Sequence, residues 1–108
     1  MTWDSVVVDC TDIQRVGRFW ADLLRVELQG PSSDGEVWVD LAGGPGILFC
    51  EVPEPKTVKN RIHWDVKLVD STIDGLVDAG ATVLRPKDDE IRWSVMADPE
   101  GNEFCAFE

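Results

Sequence analysis

Two stretches of the chain share one pattern: Trp38-Val-Asp-Leu-Ala-Gly-Gly-Pro-Gly-Ile-Leu-Phe-Cys50 and Trp93-Ser-Val-Met-Ala-Asp-Pro-Glu-Gly-Asn-Glu-Phe-Cys105. Each indicates a strand, a turn and a second strand, because apolar runs flank a turn that contains glycine and proline. Such self-similarity indicates a duplicated structural unit. At a constant offset of 55, five pairs are identical: Trp38/Trp93, Ala42/Ala97, Gly46/Gly101, Phe49/Phe104 and Cys50/Cys105.

The starts of the two halves also correspond, at an offset of 58 that aligns Ser5 with His63. Each half then reads as a strand, a helix and three further strands. The sequence therefore predicts one α+β domain over residues 1–108, made of two tandem βαβββ units, with a curved, mostly antiparallel sheet around a cleft and the helices on the outer face. The units cover residues of about 1–52 and about 62–108, and the linker, about 53–61, contains two prolines that a sheet interior does not accept.

Hydrophobic spacing and helix signals give the approximate bounds of the elements. The first helix should begin at a capping box formed by Thr11 and Gln14. The second helix should end at Gly80, a residue type that commonly terminates helices. The predicted helices are 12–25 and 71–79, and the predicted strands are 3–10, 26–30, 36–42, 46–52, 62–69, 82–86, 91–97 and 102–108.

The composition limits the partners and the location of the protein. Its formal net charge of -11 disfavours binding to nucleic acid and to anionic membranes. No apolar run is long enough to cross a bilayer, and no secretory leader is evident at the start. Three cysteines without a paired motif argue against a disulfide framework, so we expect a cytoplasmic protein.

Strand periodicity predicts which side chains face the cleft. Successive residues of a strand point to opposite faces, so Ser5, Val7 and Asp9 should share the cleft face of the first strand, while Cys10 faces the helix. His63, Asp65 and Lys67 should likewise share the cleft face at the start of the second unit.

His63 is the only histidine, and its imidazole has the one ordinary side-chain pKa near neutrality. It could act as a general base oriented by Asp65, or it could be a strand-end histidine that is only hydrogen-bonded in a half-polar cleft. Asp65 and Lys67, on the same strand face, could instead form a solvated salt bridge at the sheet surface. Trp93 could provide an aromatic wall for a ligand or simply pack in the core. The basic residues near the linker could anchor an anion or only solvate the surface; they are Lys56, Lys59 and Arg61.

Several segments together resemble the vicinal-oxygen-chelate superfamily, the glyoxalase/bleomycin-resistance/dioxygenase group. They are Asp9-Cys-Thr-Asp12, the helix residues Phe19-Trp20 and Leu23-Leu24, His63-Trp-Asp65, and Asp98-Pro-Glu-Gly-Asn-Glu-Phe104. The last is similar to the D-P-x-G-N turn before the final strand of that superfamily. The stretch from Pro53 to Arg61 resembles a glyoxalase-like subgroup common in actinobacteria.

The resemblance also implies where a divalent metal would bind. Superfamily members hold a metal with His or Glu at four strand positions, which are occupied here by Ser5, Cys50, His63 and Cys105. Only His63 keeps a usual ligand type. We therefore expect no metal cofactor. The alternative is a zinc ion held by two thiolates and one imidazole, those of Cys50, Cys105 and His63.

The expected function is to bind a small, aromatic or amphipathic molecule in the cleft between the two units. Two alternatives are a metal-dependent lyase, isomerase or dioxygenase of the same superfamily, and a metal-free enzyme that uses His63 and Asp65 as catalytic acid and base. The open sheet of a short chain leaves apolar surface that a second copy can cover, so a homodimer is expected. The candidate ligand-binding residues are Ser5, Val7, Cys50, His63, Lys67, Trp93, Cys105 and Phe107.

Overall fold

The computed structural model describes all 108 residues, and its helices and strands follow the predicted order except that one predicted strand, 26–30, is missing. Neither helix combines the length and hydropathy that a membrane-spanning segment requires. The chain divides into two compact units, Met1–Pro55 and Lys56–Glu108, and this boundary falls inside the predicted linker. The elements are β1 (Ser5–Cys10), α1 (Ile13–Leu24), β2 (Val37–Val39), β3 (Gly46–Glu51), β4 (Trp64–Lys67), α2 (Ile73–Asp78), β5 (Thr82–Arg85), β6 (Ser94–Ala97) and β7 (Glu103–Phe107).

The first unit packs α1 on a three-stranded sheet of order β1-β3-β2. β1 is parallel to β3, and β2 is antiparallel to it. The helix buries Val16 and Trp20 against the sheet residues Val37 and Phe49, all nearly inaccessible to solvent. Cys10 is also buried, which confirms that it faces the core as a small apolar residue.

The second unit repeats this plan with four strands of order β4-β7-β6-β5. β4 is parallel to β7, and the other two pairings are antiparallel. One face of this sheet is buried and carries Met96 of β6 and Phe104 of β7, and Leu76 of α2 is buried as well. On the opposite face, the side chains of His63, Asp65 and Lys67 are exposed, as the alternation predicted. The α+β class and the tandem βαβββ plan are therefore confirmed.

The strand predicted over 26–30 is wrong, because only Gln29 pairs there, in a single bridge to Trp38. Val26 instead belongs to the cap that ends α1: Arg25 adopts a left-handed conformation with a φ of 58°, and the Val26 N–H donates back to the Ala21 carbonyl. Leu28 lies against Gly17, where a methyl group would come within 3.1 Å of it. Pro31, which has no N–H, follows closely, so the segment cannot continue as a strand.

The start of α1 also differs from the prediction. Its N-cap is Asp12 rather than Thr11, and the Asp12 carboxylate accepts the N–H of Arg15 at 3.1 Å. Aspartate is as good a cap as threonine because its oxygen satisfies the same exposed donor. α2 is capped by Thr72 and is followed by Gly80, whose φ of +120° suits glycine.

The strand register corrects two equivalences inferred from the repeat. Asp9 lies opposite Cys50, and Asp65 lies opposite Cys105. The first strands therefore correspond at an offset of 56, not 58, and Val7 rather than Ser5 is the counterpart of His63. The predicted orientation of the side chains is still correct, because the two offsets differ by two residues and side chains two apart on a strand point to the same face.

The two tryptophans of the repeated stretch are also not equivalent in the sheet. Trp38 pairs with Leu48, two residues before Cys50, whereas Trp93 contacts Phe107, two residues after Cys105. The reason lies in the turns: seven residues separate the last paired positions of β2 and β3, and five separate those of β6 and β7. The two stretches have the same length in sequence, so the longer turn of the first unit shifts the pairing of β2 with β3 relative to that of β6 with β7.

The short turn between β6 and β7 is organised by a buried carboxylate. Asp98 is 3% exposed, and its Oδ1 accepts the backbone N–H groups of Glu100 and Asn102, each at 2.9 Å. Its Oδ2 accepts the Asn102 side-chain amide at 3.3 Å. Gly101 has a φ of +89°, which glycine adopts without strain. The D-P-x-G-N segment thus forms a tight turn whose hydrogen bonds fix the residue at which β7 begins.

Candidate functional site

A pocket of about 450 Å³ opens on the exposed face of the second unit's sheet. This volume lies in the range of small-molecule sites. Cys105, Asp65 and Val95 form one row across the sheet, since Cys105 is the register partner of both. The full lining is Lys59, His63, Asp65, Trp93, Val95, Glu103, Phe104, Cys105 and Phe107.

One end of the pocket is aromatic. The rings of Trp93 and Phe107 have centroids 5.6 Å apart and planes inclined at 36°. Both side chains are only half-buried, so ring surface remains available to a ligand. Flat apolar groups gain free energy when they cover such surface and exclude water from it.

The other end of the pocket is polar and carries three potential metal ligands. The His63 Nε2 lies 3.5 Å from Asp65 Oδ1. The ligand atoms of His63, Asp65 and Cys105 all lie within 4.8 Å of one another. Imidazole and carboxylate side chains here are about half exposed or more, at 47% and 64%, so solvent and solutes reach them.

The Cys105 thiol is held in its protonated form. Burial raises its pKa, the charge and hydrogen bonding of Asp65 raise it further, and the charge of Lys59 opposes both. A thiol in this state is a hydrogen-bond donor and a weak nucleophile at neutral pH. Any metal that binds its sulfur must therefore displace a proton.

The segment of residues 56–60, here called the strap, is fixed to the start of β7. Lys56 Nζ donates to Glu103 Oε1 at 2.9 Å, and the Asn60 N–H donates to Glu103 Oε2 at 3.0 Å. The Asn60 side-chain amide donates to Asn102 Oδ1 at 3.0 Å. Glu103 therefore uses both carboxylate oxygens inside the protein, although it borders the pocket.

We expect the bonds of the strap to Glu103 to stabilise the fold most while Glu103 is ionised. Burial alone would raise the pKa of Glu103, but hydrogen bonds from Lys56 and Asn60 and the Lys56 charge outweigh it and hold that pKa below its ordinary 4.5. A lowered folded-state pKa gives stability that is present above the unfolded-state pKa and lost as pH falls. Glu103→Gln should therefore lower the free energy of unfolding most above about pH 5, and the gap from wild type should shrink as pH falls below 4.5.

Urea unfolding of both proteins across this pH range measures the effect. In a Lys56→Met background, Glu103→Gln should cost less, because the cation that the carboxylate pairs with is gone. A gap that stays constant down to pH 3, an acidity chosen to lie about one unit below the glutamate range, would contradict the assignment.

The first unit has a related thiol, Cys50, which is more exposed than Cys105 but is bonded to a carboxylate. Cys50 Sγ lies 3.1 Å from Glu36 Oε2, to which it donates. Burial first, then the hydrogen bond and charge of Glu36 and the charge of Asp9, raise the pKa of Cys50 to about 11. The Cys50 thiol is thus protonated at neutral pH and already satisfied.

The predicted site residues separate by unit. His63, Asp65, Trp93, Cys105 and Phe107 line the one pocket described above, and Lys67 lies on the same strand face but outside that lining. The remaining candidates belong to the sheet of the first unit: Ser5 and Val7 on β1, and Cys50 on β3. A shared role with the second unit stays a prediction. Val95 and Glu103 also line the pocket and were not among the predicted site residues, although the alternation along β6 and β7 identifies both.

Comparison with known proteins assigns the chain to a family. The family model of the glyoxalase-like domain matches residues 5–107. The chain belongs to the glyoxalase-like family. This assignment confirms the predicted membership of the vicinal-oxygen-chelate superfamily. No curated protein matches the sequence of this glyoxalase-like chain.

Solved structures support the fold of the glyoxalase-like chain. A glyoxalase/bleomycin resistance protein/dioxygenase family enzyme from Burkholderia phytofirmans aligns with a TM-score of 0.73 at 20% identity, covering 95% of this chain and 94% of its own. A hypothetical protein, SA1046 from S. aureus, gives 0.74 at 13% identity, with coverage of 98% and 92%. A variant of the fosfomycin resistance protein FosX from Listeria monocytogenes, determined with Mn(II) and 1S,2S-dihydroxypropylphosphonic acid, gives 0.73 at 16% identity, with coverage of 98% and 88%.

The donor groups of the pocket fit a metal different from manganese. Mn(II) favours oxygen ligands, whereas His63, Asp65 and Cys105 offer one nitrogen, one oxygen and one sulfur. Zinc accepts all three and needs ligands about 2.0–2.3 Å from the ion, which separations of up to 4.8 Å between the donors allow after a small contraction. The residues present therefore fit zinc, which would act there as a Lewis acid.

Proposed function

We propose that this glyoxalase-like protein binds a small, aromatic or amphipathic molecule in the pocket of its second unit. The observation that carries the proposal is the combination in one pocket of a half-exposed aromatic pair, Trp93 and Phe107, with a polar end at His63 and Asp65. Mostly apolar pockets with a few convergent polar groups are typical of small-molecule sites.

The side chains at the polar end of the pocket favour ligand binding over nucleophilic catalysis. The protonated Cys105 thiol is a poor nucleophile, and Glu103 is committed to the strap. His63 and Asp65 remain, and both can exchange hydrogen bonds with a polar substituent of the ligand.

Backbone amide NMR during a titration with 1-naphthalenemethanol tests the proposal. This probe carries an apolar double ring and one hydroxyl group, so it matches both ends of the pocket. We expect the largest shift changes on β6 and β7, at Val95, Cys105 and Phe107. Shift changes confined to other surfaces, or none up to millimolar probe, would contradict the proposal.

A metal-dependent enzyme is the second candidate function, and the cluster of His63, Asp65 and Cys105 is the observation that favours it. In that case the three side chains would hold zinc, and the aromatic end would bind the apolar part of a substrate. A metal-free enzyme with His63 and Asp65 as acid and base is the third candidate, supported by their 3.5 Å separation.

Metal content separates the metal-dependent candidate from the others. Protein purified without added metal should carry less than about one third of an equivalent of any divalent ion, because the usual carboxylate ligands are missing and the thiol must lose a proton. Elemental analysis measures this directly. About one zinc per chain, lost in Cys105→Ala, would reverse the order of the two candidates.

We further propose that the protein is a cytoplasmic homodimer. Large apolar side chains exposed on the single chain support a second copy as the partner, among them Trp3 at 75% and Ile62 at 83%. Light scattering at micromolar concentration should give twice the mass of one chain. A monomeric mass would contradict this proposal without touching the pocket.

A further inference from the structure

The charges around the pocket leave one cation available to a ligand. Of the ionisable side chains in the lining, Glu103 is neutralised by Lys56 at 2.9 Å. The Asp65 carboxylate, 3.5 Å from His63 Nε2, accepts the hydrogen bond of the Cys105 thiol and is the anion of the lining without a cationic partner other than His63. Lys59 is the cation of the lining, and no ion pair engages its ammonium.

The strap fixes the place of this cation. Lys59 lies between Lys56 and Asn60, and both of those residues bond to Glu103. A second bond, from Asn60 to Asn102, ties the strap to the turn that begins β7. The backbone of Lys59 is therefore held on both sides, so binding of a ligand by its ammonium costs less backbone entropy.

We infer that Lys59 determines the charge specificity of the pocket, that the preferred ligands are aromatic molecules with an anionic group such as a carboxylate, and that Glu103 is a positioning residue for Lys59. The ring packs at the Trp93 and Phe107 end, and the anion meets the Lys59 ammonium and the His63 imidazole. This inference rests on the proposed function and deepens it by naming the ligand class.

Three probes with the same ring system test the charge preference: 1-naphthoate, 1-naphthalenemethanol and 1-naphthalenemethylamine, which carry an anion, a neutral hydroxyl and a cation. Titration calorimetry at pH 7.5, about one unit above the ordinary pKa of histidine, gives the three affinities. We expect 1-naphthoate to bind about three- to fivefold more tightly than the alcohol, as a partly exposed ion pair allows.

Lys59→Gln should lower the ratio of 1-naphthoate affinity to alcohol affinity to about one. Lys67→Gln is the matched control, because it removes the same charge from the same sheet face outside the pocket lining. It should leave the ratio unchanged. An equal loss in both variants would show a general effect of net charge and overturn the role of Lys59.

Glu103→Gln distinguishes positioning from simple electrostatics, because the two predict opposite signs. If Glu103 only placed a negative charge in the wall, its removal would strengthen 1-naphthoate binding. If it positions Lys59 through the strap, its removal should lower the ratio of anion to alcohol affinity towards one. In the Lys59→Gln background, the same substitution should change the ratio no further.

The outcomes separate this inference from the proposed function. Binding of all three probes with equal affinity, or strongest binding of the amine, would overturn the anion preference and leave the proposed pocket intact. Absence of binding by every probe would overturn both. Thermal melts of each variant confirm that the protein remains folded during the titrations.

Discussion

Trp93→Ala should weaken the binding of 1-naphthalenemethanol about 30-fold. The indole forms half of the aromatic end of the pocket, with its ring centroid 5.6 Å from that of Phe107. Loss of its contact with the probe removes about 2 kcal/mol of favourable burial, which corresponds to that change in the dissociation constant. Titration calorimetry on the two proteins measures the ratio.

Trp3→Ala is the matched control for this substitution. Trp3 is 75% exposed and lies in the first unit, outside the pocket lining. Its replacement should leave the affinity unchanged, whereas a comparable loss in both variants would show that the probe binds tryptophan nonspecifically. An unchanged affinity in Trp93→Ala would remove the main support for the proposed function.

Asp98→Ala should lower the free energy of unfolding by about 3 kcal/mol. The substitution leaves two backbone N–H groups and the Asn102 amide without their acceptor in a turn where Asp98 is only 3% exposed. A buried donor that loses its partner costs about 1–3 kcal/mol. Urea unfolding monitored by circular dichroism gives the difference.

Asp88→Ala provides a control with the same local pattern at the surface. The Asp88 carboxylate also accepts two backbone N–H groups, from Glu90 and Ile91, but the side chain is exposed. Water can replace the acceptor there, so the melting temperature should hardly change. Equal destabilisation by both substitutions would mean that burial does not explain the importance of Asp98.

The sequence predicted the tandem plan and the faces of the strands because both depend on local periodicity. His63, Asp65 and Lys67 are exposed and Cys10 is buried, as alternation required. The register between strands was harder to predict from the sequence. It depends on the length of each turn, so Trp38 and Trp93 occupy different places although their stretches align without a gap.

The polar part of the pocket was predicted only in outline. Strand alternation predicts the position of His63 and Asp65. No local pattern shows that Lys56 and Asn60 both bind the carboxylate of Glu103, which lies 47 and 43 residues further along the chain. Those contacts arise from tertiary folding of the strap onto β7. For the same reason, the sequence offered three basic residues as anchors and could not show that Lys56 is already paired.

The matching pairs Asp9 with Cys50 and Asp65 with Cys105 place the same acid–thiol arrangement at equivalent positions of the two sheets. In the first unit, the sulfur donates a hydrogen bond to Glu36; in the second, apolar Val95 lies beside the sulfur, and both line the pocket. The residue that lies next to the thiol therefore decides whether the same arrangement is satisfied within the protein or borders a space that a ligand can occupy.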